Sequence, residues 1–489
     1  MRSELGNPRL LRVMNERRLL DQLHREGPAS RADLAKVTGL SKPTVSAALA
    51  GLEEDGLVHL VGEVSGRPGP VTSLYDVNAA SAHVAGIDIG RDWIRVAVAD
   101  LRGTFAGRTD GRNTARTSAE LAELVARLAR AAAHEAELDW SAIVCAVVGS
   151  PGVYDQNAGR LDLAPNLPGP DLADRLRAAL NVDLVIENDI NLAAVGEHAY
   201  GEGRGKSNFA LVSIGTGVGM GIVVNGELYV GARGAAGEVS YLPATDDLPT
   251  PDAAPGPNTA PGPYTRSAPA ARSAPDVPLV PDAGSVGEMP SAPDVRRASE
   301  AGFPDTQRPP DTQHPPGTRP APDRPSEVSS AGSVTGASAQ AAGEVFPGVD
   351  QGDASVREHG ATETVAAAPG VVRAARAAGL SLGTAKEIFA AAERGDQAAL
   401  SVVAAEGRRI GGLLVAVAAV LDPEVIVLSG GVGHNLDLLG DAIQRRIGEL
   451  GPLRPTIVAS ALGDSGVLLG AVAHARGRAW DLIFSTRMG

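Results

Sequence analysis

The chain has 489 residues, with 44 Lys and Arg against 58 Asp and Glu for a formal net charge of −14, and a single cysteine, Cys145. One cysteine excludes a disulfide scaffold and a Cys-rich zinc site built within the chain, and 43% hydrophobic content over this length predicts two or three domains with sizeable cores. The acidic balance excludes nucleic-acid binding over the whole surface, but the charge is uneven: residues 1–50 carry nine basic against five acidic side chains, and residues 81–489 carry 34 against 48. A basic head on an acidic body reaches a polyanion only through the head. The best candidate for a membrane span, Ile410 to Leu421, stops at Asp422-Pro423, short of the roughly 18 to 20 apolar residues a bilayer requires. The start, charged from Arg2 onward, lacks the apolar core of a secretory signal, so a soluble cytoplasmic protein is expected. Cys145, in an apolar run, reads as a small core residue.

The head spans residues 1–80. Ser30 and Asp33 have the spacing of a helix N-cap and open a helix over Arg31 to Val37. A turn at Thr38-Gly39-Leu40 follows, and Ser41 caps a second helix that carries Pro43 in its first turn and runs to about Glu54. Ala35, Gly39 and Val45 are spaced as a helix-turn-helix requires, with a small residue where the helices touch, a glycine for the left-handed turn and an apolar anchor. Leu34, Leu40, Leu49 and Leu52 supply the core face. Two alternating runs, Leu57 to Glu63 and Val71 to Val77, flank Ser65-Gly66-Arg67-Pro68-Gly69-Pro70 and predict a β-hairpin wing. The three spaced positions alone also suit an ordinary helical hairpin; the wing and the local positive charge favour DNA binding. Ser41, Lys42, Thr44 and Ser46 then lie at the exposed start of the recognition helix. Arg67 on the Gly/Pro-rich tip is placed to enter a minor groove or pair with phosphate, its alternative being a solvated loop charge.

In the body, Val84 to Asp88 and Trp93 to Asp100 are runs of strand length joined by the tight acidic turn Asp88-Ile89-Gly90-Arg91-Asp92. Thr117 and Glu120 cap a helix with Leu121, Leu124, Val125 and Leu128 on one face, and Ile143 to Val148 is another buried strand. Strands alternating with helices predict an α/β architecture. Phe209 to Ile214 runs into Gly215-Thr216-Gly217-Val218-Gly219-Met220-Gly221, a turn whose backbone can approach an anion, although glycine is also the default of any tight hairpin. Between Pro243 and Pro347 fall 22 of the 35 prolines, mixed with Ala, Ser, Asp, Gly and Thr. That composition offers little apolar surface to offset ordering entropy, so residues 243–356 are expected to be a disordered insertion into one domain. Loop closure entropy grows slowly enough with length to tolerate it.

The order of the remaining pieces is the most specific signal. Asp88-Ile89-Gly90, Pro151-Gly152-Val153, Ala164-Pro165-Asn166-Leu167-Pro168-Gly169, Ile186-Glu187-Asn188-Asp189-Ile190-Asn191, the Gly-rich turn, Gly234-Ala235-Ala236-Gly237-Glu238 and Ile426-Val427-Leu428-Ser429-Gly430-Gly431-Val432 follow one another. This closely resembles the ROK family, which groups sugar-responsive repressors and sugar kinases on the actin-like ATPase fold. The resemblance covers essentially the whole chain except the Pro-rich segment, and the head points to the repressor branch.

The implied architecture is α/β: a winged helix-turn-helix over 1–80, then a two-lobed, ribonuclease H-like body over 81–242 and 357–489, split by the insertion. The resemblance makes Asp189 the position of the catalytic base in family kinases, and Asn166, Asn188, Asp189, Glu238 and Glu363 the sugar-binding set. Carboxylates and amides suit vicinal hydroxyls, which need paired donors and acceptors. Asp88, Gly90, Thr216, Gly217, Gly430 and Gly431 fall where family kinases hold nucleotide. Three departures stand against catalysis. Arg91 and Asp92 replace the small residues of the first phosphate loop, Tyr241 stands where a zinc-binding histidine belongs, and the zinc cysteines are gone, Ala361 occupying the third. The expected protein is a sugar- or sugar phosphate-sensing repressor that binds operator DNA as a homodimer or tetramer, with no cofactor and no membrane contact. The alternative is an active, glucokinase-like sugar kinase using ATP and Mg, with an accessory DNA-binding head.

Overall fold

Two serines start the helices of the head. After α1 (Pro8–Glu26) and the short strand β1 (Ala29–Ser30), Ser30 and Asp33 form a closed capping box that opens α2 (Arg31–Thr38). Gly39 then takes φ 69° and donates to the Ala35 carbonyl at 3.0 Å, a left-handed stop that needs a residue without Cβ. Ser41 accepts from the Thr44 N–H and caps α3 (Lys42–Glu54). The apolar side of α1, formed by Val13, Leu19, Leu20 and Leu23, shares one buried cluster with Leu34, Val45, Leu49 and Leu52. Strands β2 (Val58–Val64) and β3 (Thr72–Val77) pair antiparallel with an irregularity at Leu60/Gly62, and β1 adds to the far edge of β3. The wing is therefore present. The computed structural model describes residues 8–64, 72–155, 160–162, 171–243 and 360–488. Arg67, Asn166 and residues 244–356 of the expected insertion lie outside the described residues.

The body contains the same sheet twice. Strands β4 (His83–Ile89), β5 (Trp93–Asp100) and β6 (Phe105–Arg112) form an antiparallel meander. Helix α4 (Ser118–Glu135), β7 (Ile143–Ser150), the hairpin β8 (Val153–Asp155) and β9 (Arg160–Asp162), α5 (Leu172–Leu180) and β10 (Asp183–Asn188) follow. The first sheet has the order β10-β7-β4-β5-β6, with β7 and β10 parallel to β4. After α6 (Asp189–Tyr200), the second sheet repeats the plan with β11 (Phe209–Ile214), β12 (Val218–Val224) and β13 (Glu227–Leu228), then β14 (Val425–Ser429) and β15 (Ile457–Ala459) in the order β13-β12-β11-β14-β15. Here too the first three strands are antiparallel and the last two parallel to the first.

Helices fill the faces. Leu121, Val125 and Leu128 of α4 and Leu172 and Leu176 of α5 cover one face of the first sheet. The second sheet is covered by α7 (Ala361–Ala366), α8 (Ala368–Ala377), α9 (Ala385–Glu393), α10 (Gln397–Leu421), α11 (Gly430–Gly433) and α12 (Leu436–Leu450), which contribute Val371, Ile388, Phe389, Val403, Leu414, Val432 and Ile443 to its core. The apolar run Ile410 to Leu421 is thus part of a helix packed on a sheet. Among the described residues no helix is long and apolar enough to cross a membrane. Helix α13 (Gly466–Met488) closes the chain by lying on β4, where a Cβ at Gly86 would stand 2.9 Å from the Val472 nitrogen. Cys145 is buried beneath α13, donates to the Ala475 carbonyl at 3.2 Å, and burial pushes its thiol up to about 12, the behaviour of an inert core residue.

Candidate functional site

Because each sheet begins with a hairpin, each presents a tight turn at the same place, and the two turns line a shared cleft of about 1050 Å³. In the first turn the Gly90 N–H donates to the Trp93 carbonyl at 2.9 Å. In the second the Gly215 N–H donates to the Gly217 carbonyl at 2.9 Å. Asp88, Gly90, Thr216, Gly217, Gly430 and Gly431 all border the cleft, as do Asn188, Asp189, Glu238, Glu363 and Tyr241. Residues from six separate stretches of sequence thus meet in one place.

The end of β10 delivers the central pair. Asn188 is the N-cap of α6: its Oδ1 accepts from the Ile190 and Asn191 N–H groups at 2.9 and 3.1 Å, and its Nδ2 donates to the Gly152 carbonyl at 3.0 Å. Most of its hydrogen-bonding capacity therefore fixes the helix start. Asp189, the first residue of α6, accepts from the Ile190 N–H at 2.9 Å. Loss of hydration, and then the Glu238 carboxylate, push the Asp189 carboxyl up to about 6 against the pull of its backbone donors. Glu238 is raised by burial and by Glu363, and the Tyr241 phenol by burial and then by both glutamates. Glu363 Oε2 accepts from the Val218 N–H at 3.0 Å, beside Gly217, where a Cβ would stand 3.0 Å from that oxygen.

Asp88 shows what the sequence reading missed. It is 5% exposed, and Arg95 donates to its Oδ2 at 2.9 Å. Burial still outweighs this pairing and pushes the Asp88 carboxyl up to about 6. The signal was in the register: with the hairpin turn at 90–92, Asp88 and Arg95 are direct cross-strand partners. The expected zinc position holds the Tyr241 phenol and Ala361, and the single thiol is buried elsewhere, so the residues present do not fit a thiolate zinc site.

On the head, the start of α3 is exposed at Ser41, Lys42 and Pro43, with Thr44 and Ser46 half-buried. Ser41 and Thr44 bond each other through their hydroxyls at 2.7 Å. The Arg31 guanidinium stacks 4.9 Å from the Tyr75 ring, tying the start of α2 to β3. Head and body are joined by α1 and α13: Arg17 pairs with Asp481 at 2.6 Å, and Arg476 Nη2 meets His24 Nε2 at 2.6 Å while its Nη1 donates to the Tyr200 hydroxyl at 2.6 Å.

A model of the ROK family matches residues 84–257 and 355–478, and a model of the MarR family matches residues 13–67, which with the three-stranded sheet makes the head a winged helix-turn-helix. The xylose repressor of Bacillus subtilis is 28% identical over 243 residues, 49% of this chain and 62% of that protein. The DNA-binding transcriptional dual regulator NagC of Escherichia coli is 22% identical over 242 residues, 49% of this chain and 60% of NagC. The chain therefore matches about 60% of the length of these curated relatives. Among solved structures, a ROK family transcriptional regulator, a homolog of the Escherichia coli MLC protein, superposes with a TM-score of 0.65 at 17% identity over 98% of both chains, a likeness of fold. With the ROK model matched over both halves of a duplicated α/β body that carries a winged head, the chain belongs to the ROK family.

Proposed function

We propose that this chain is a cytoplasmic, DNA-binding transcriptional repressor of carbohydrate metabolism, whose head (residues 1–80) grips an operator and whose body (81–242 and 357–489) binds a sugar effector. The observation that carries this reading is the physical connection between the two parts. Helix α6 starts at the cleft with Asn188 and Asp189 and lies directly on α13, close enough that Cβ atoms at Gly196 and Gly470 would run into the Gly466 and Leu192 carbonyls. The far end of α13 packs Ala475, Ala479, Trp480 and Phe484 into the cluster that holds Leu19, Leu20 and Leu23 of α1. Arg476 touches both the last residue of α6 and His24 of α1. A ligand that closes the cleft with differential affinity for two arrangements would move α6, and with it the head.

The relatives support the class, since the Bacillus protein is named a xylose repressor and the Escherichia coli protein a transcriptional regulator. A two-fold pair of heads would meet half-sites about 34–36 Å apart or a multiple of that. Asn188, Asp189, Glu238 and Glu363, together with Asn166, form the proposed effector set, and Lys42, Ser41, Thr44, Ser46 and Arg67 the proposed DNA contacts. The test is to select a binding site from a random-sequence DNA library with the full chain and then titrate the complex with a sugar panel. Selection of a pseudo-palindrome that a free or phosphorylated sugar releases supports the reading. Equal operator affinity in a chain lacking residues 1–80 would refute it.

A second reading, a sugar kinase, is favoured by Asp189, whose carboxyl is pushed up to about 6, in a cleft lined by two glycine turns. Phosphoryl transfer depends on positioning and neutralising the phosphates. Here Asp88 is bound to Arg95 and the Val218 amide to Glu363, while Arg91 and Asp92 border the first turn. ADP release with ATP, magnesium and a hexose panel at roughly 1–100 per second, lost in Asp189→Ala, would establish the kinase instead.

A further inference from the structure

The pairing register of the wing fixes where α2 begins. Strands β2 and β3 are joined through residues 65–71, which connect at the end where Val64 pairs with Thr72; the base of the sheet is the other end, where Val58 pairs with Val77. Strand β1 runs away from that base, with Ala29 opposite Tyr75 and Ser30 opposite Leu74, and α2 starts at the next residue, Arg31. Ser30 thus lies only about 7 Å of strand from the level of Thr72. Helix α3 finishes at the base, where the Leu57 N–H donates to the Leu52 carbonyl at 2.9 Å just before Val58, so its exposed start is the end away from the base. Helix α2 packs on both α3 and β3. Arg31 is exposed, yet its side chain is held: the guanidinium lies 4.9 Å from the centre of the Tyr75 ring and donates through Nη2 to the Tyr75 hydroxyl. Tyr75 itself is 5% exposed and belongs to the core of the head. Arg12 and Arg17 of the same head are paired with Glu16 and Asp481. Arg31 has an aromatic partner in place of a carboxylate, so it is fixed with its charge uncancelled and its outward donors in solvent.

We propose that Arg31 grips a backbone phosphate of duplex DNA, and that Tyr75 is the residue that positions it. This rests on the DNA-binding reading above and adds a contact outside the start of α3 and the wing. A helix in the major groove and a wing in the neighbouring minor groove straddle one run of phosphates. A cation at the start of α2, tied by β1 to the sheet and packed beside α3, meets that run. A guanidinium matches two phosphate oxygens at once, and stacking on Tyr75 leaves the edges that donate those bonds open. Holding the fork in place before DNA arrives lowers the cost of ordering a long side chain on binding. The contact carries no base information, so its work is to set the register in which the α3 side chains meet the groove.

The full chain is titrated over a range of salt concentrations against two duplexes of equal length, one carrying the sequence it selects from a random library and one of scrambled sequence. Arg31→Ala, a surface change to a good helix former, should weaken binding to both duplexes by about tenfold, the loss of one charged hydrogen bond. It should also lower the slope of log affinity against log salt by about 1 and select the same sequence as wild type. Arg31→Lys, which keeps the charge and loses the fork, should keep the slope with an intermediate affinity. Tyr75→Phe, which keeps the ring and removes the hydroxyl, should weaken binding several-fold in the wild-type background and add nothing to Arg31→Ala, with an unchanged melting temperature. A salt slope unchanged in Arg31→Ala, or a loss confined to the selected sequence, overturns the phosphate contact and leaves the DNA-binding reading standing. An equal loss from Tyr75→Phe in both backgrounds overturns the positioning role of Tyr75. A wild-type chain that binds neither duplex at low salt removes the DNA-binding reading and the inference with it.

Discussion

His24 accepts a hydrogen bond from Arg476 through Nε2, which places its proton on Nδ1, a buried nitrogen with no hydrogen-bond partner among the described residues. Burial, and then Arg476, push the imidazole down to about 4 from an ordinary 6.5. A depressed basic pKa means that the unfolded chain takes up a proton before the folded one does, so this contact's contribution is intact above pH 6.5 and declines as pH falls toward about 4. Asp88 and Asp189, raised from 3.8 to about 6, act in the opposite sense: their contribution declines as pH rises from about 4 through 6. The two effects overlap and partly cancel in the wild type. His24→Gln, which retains an acceptor for Arg476 but cannot titrate, should therefore lose less thermal stability than wild type between pH 6.5 and 4; parallel melting curves would show that His24 is not the group responsible. At the other end of the same path, Asp189→Asn keeps an acceptor for the Ile190 N–H. It should weaken sugar response by at least about tenfold, roughly the loss of one charged hydrogen bond, with operator affinity in the absence of sugar unchanged in a gel-shift titration. The residues of the cleft were legible in the sequence because each sits beside glycines or in a short acidic motif. Arg95, His24 and Arg476 were not, since an arginine or histidine inside an apolar run announces no partner until pairing and packing supply one.

Helices α6 and α13 touch where both lack side chains. Gly196 and Gly466, and Gly470 with the Leu192 carbonyl, let the backbones approach, and any Cβ at Gly470 displaces one helix from the other. Gly470→Ala should cost about 1–3 kcal/mol through overpacking, read by urea denaturation, and the variant should respond to sugar less steeply than its operator affinity alone would predict. A Gly470→Ala protein as stable as wild type would mean that the helices separate freely. Capped and alternating elements were readable in advance: α2, α3 and α4 begin at Ser30, Ser41 and Thr117, and the β2–β3 wing follows the two alternating runs. Helix α1 escaped because it is polar on most of its circumference and has no acidic residue in its first turn. Its apolar residues, Val13, Leu19, Leu20 and Leu23, make sense only once α3 and α13 lie against them. The duplication of the sheet was equally hidden, because the two halves repeat strand directions and not residues.

For the whole molecule, net charge sets how DNA is approached. On the proposed function the basic head would carry the association, so operator affinity should fall steeply with salt, and Lys42→Ala should lower the slope of log affinity against log salt by about 1. The Pro-rich stretch should be dispensable for this. Replacing residues 246–352 by a short Gly/Ser linker should leave operator binding intact and stability no lower, since closure entropy favours the shorter chain by on the order of 2 kcal/mol; aggregation or loss of binding would show that the stretch packs or assembles. The geometry of its anchors supports this expectation. Thr362 donates through Oγ1 to the Leu242 carbonyl at 2.8 Å, and a Cβ at Gly360 would run into the Ser240 carbonyl, so the chain leaves and re-enters the body at one point. Glu238 lies just before that point and Glu363 just after it. The protein thus carries a natural socket for a guest domain, with a cleft-lining residue of the proposed effector set on either lip. A circularly permuted fluorescent protein spliced between 243 and 360 would have both of its termini attached next to the ligand, so that cleft closure would strain the chromophore directly and report sugar without any DNA present.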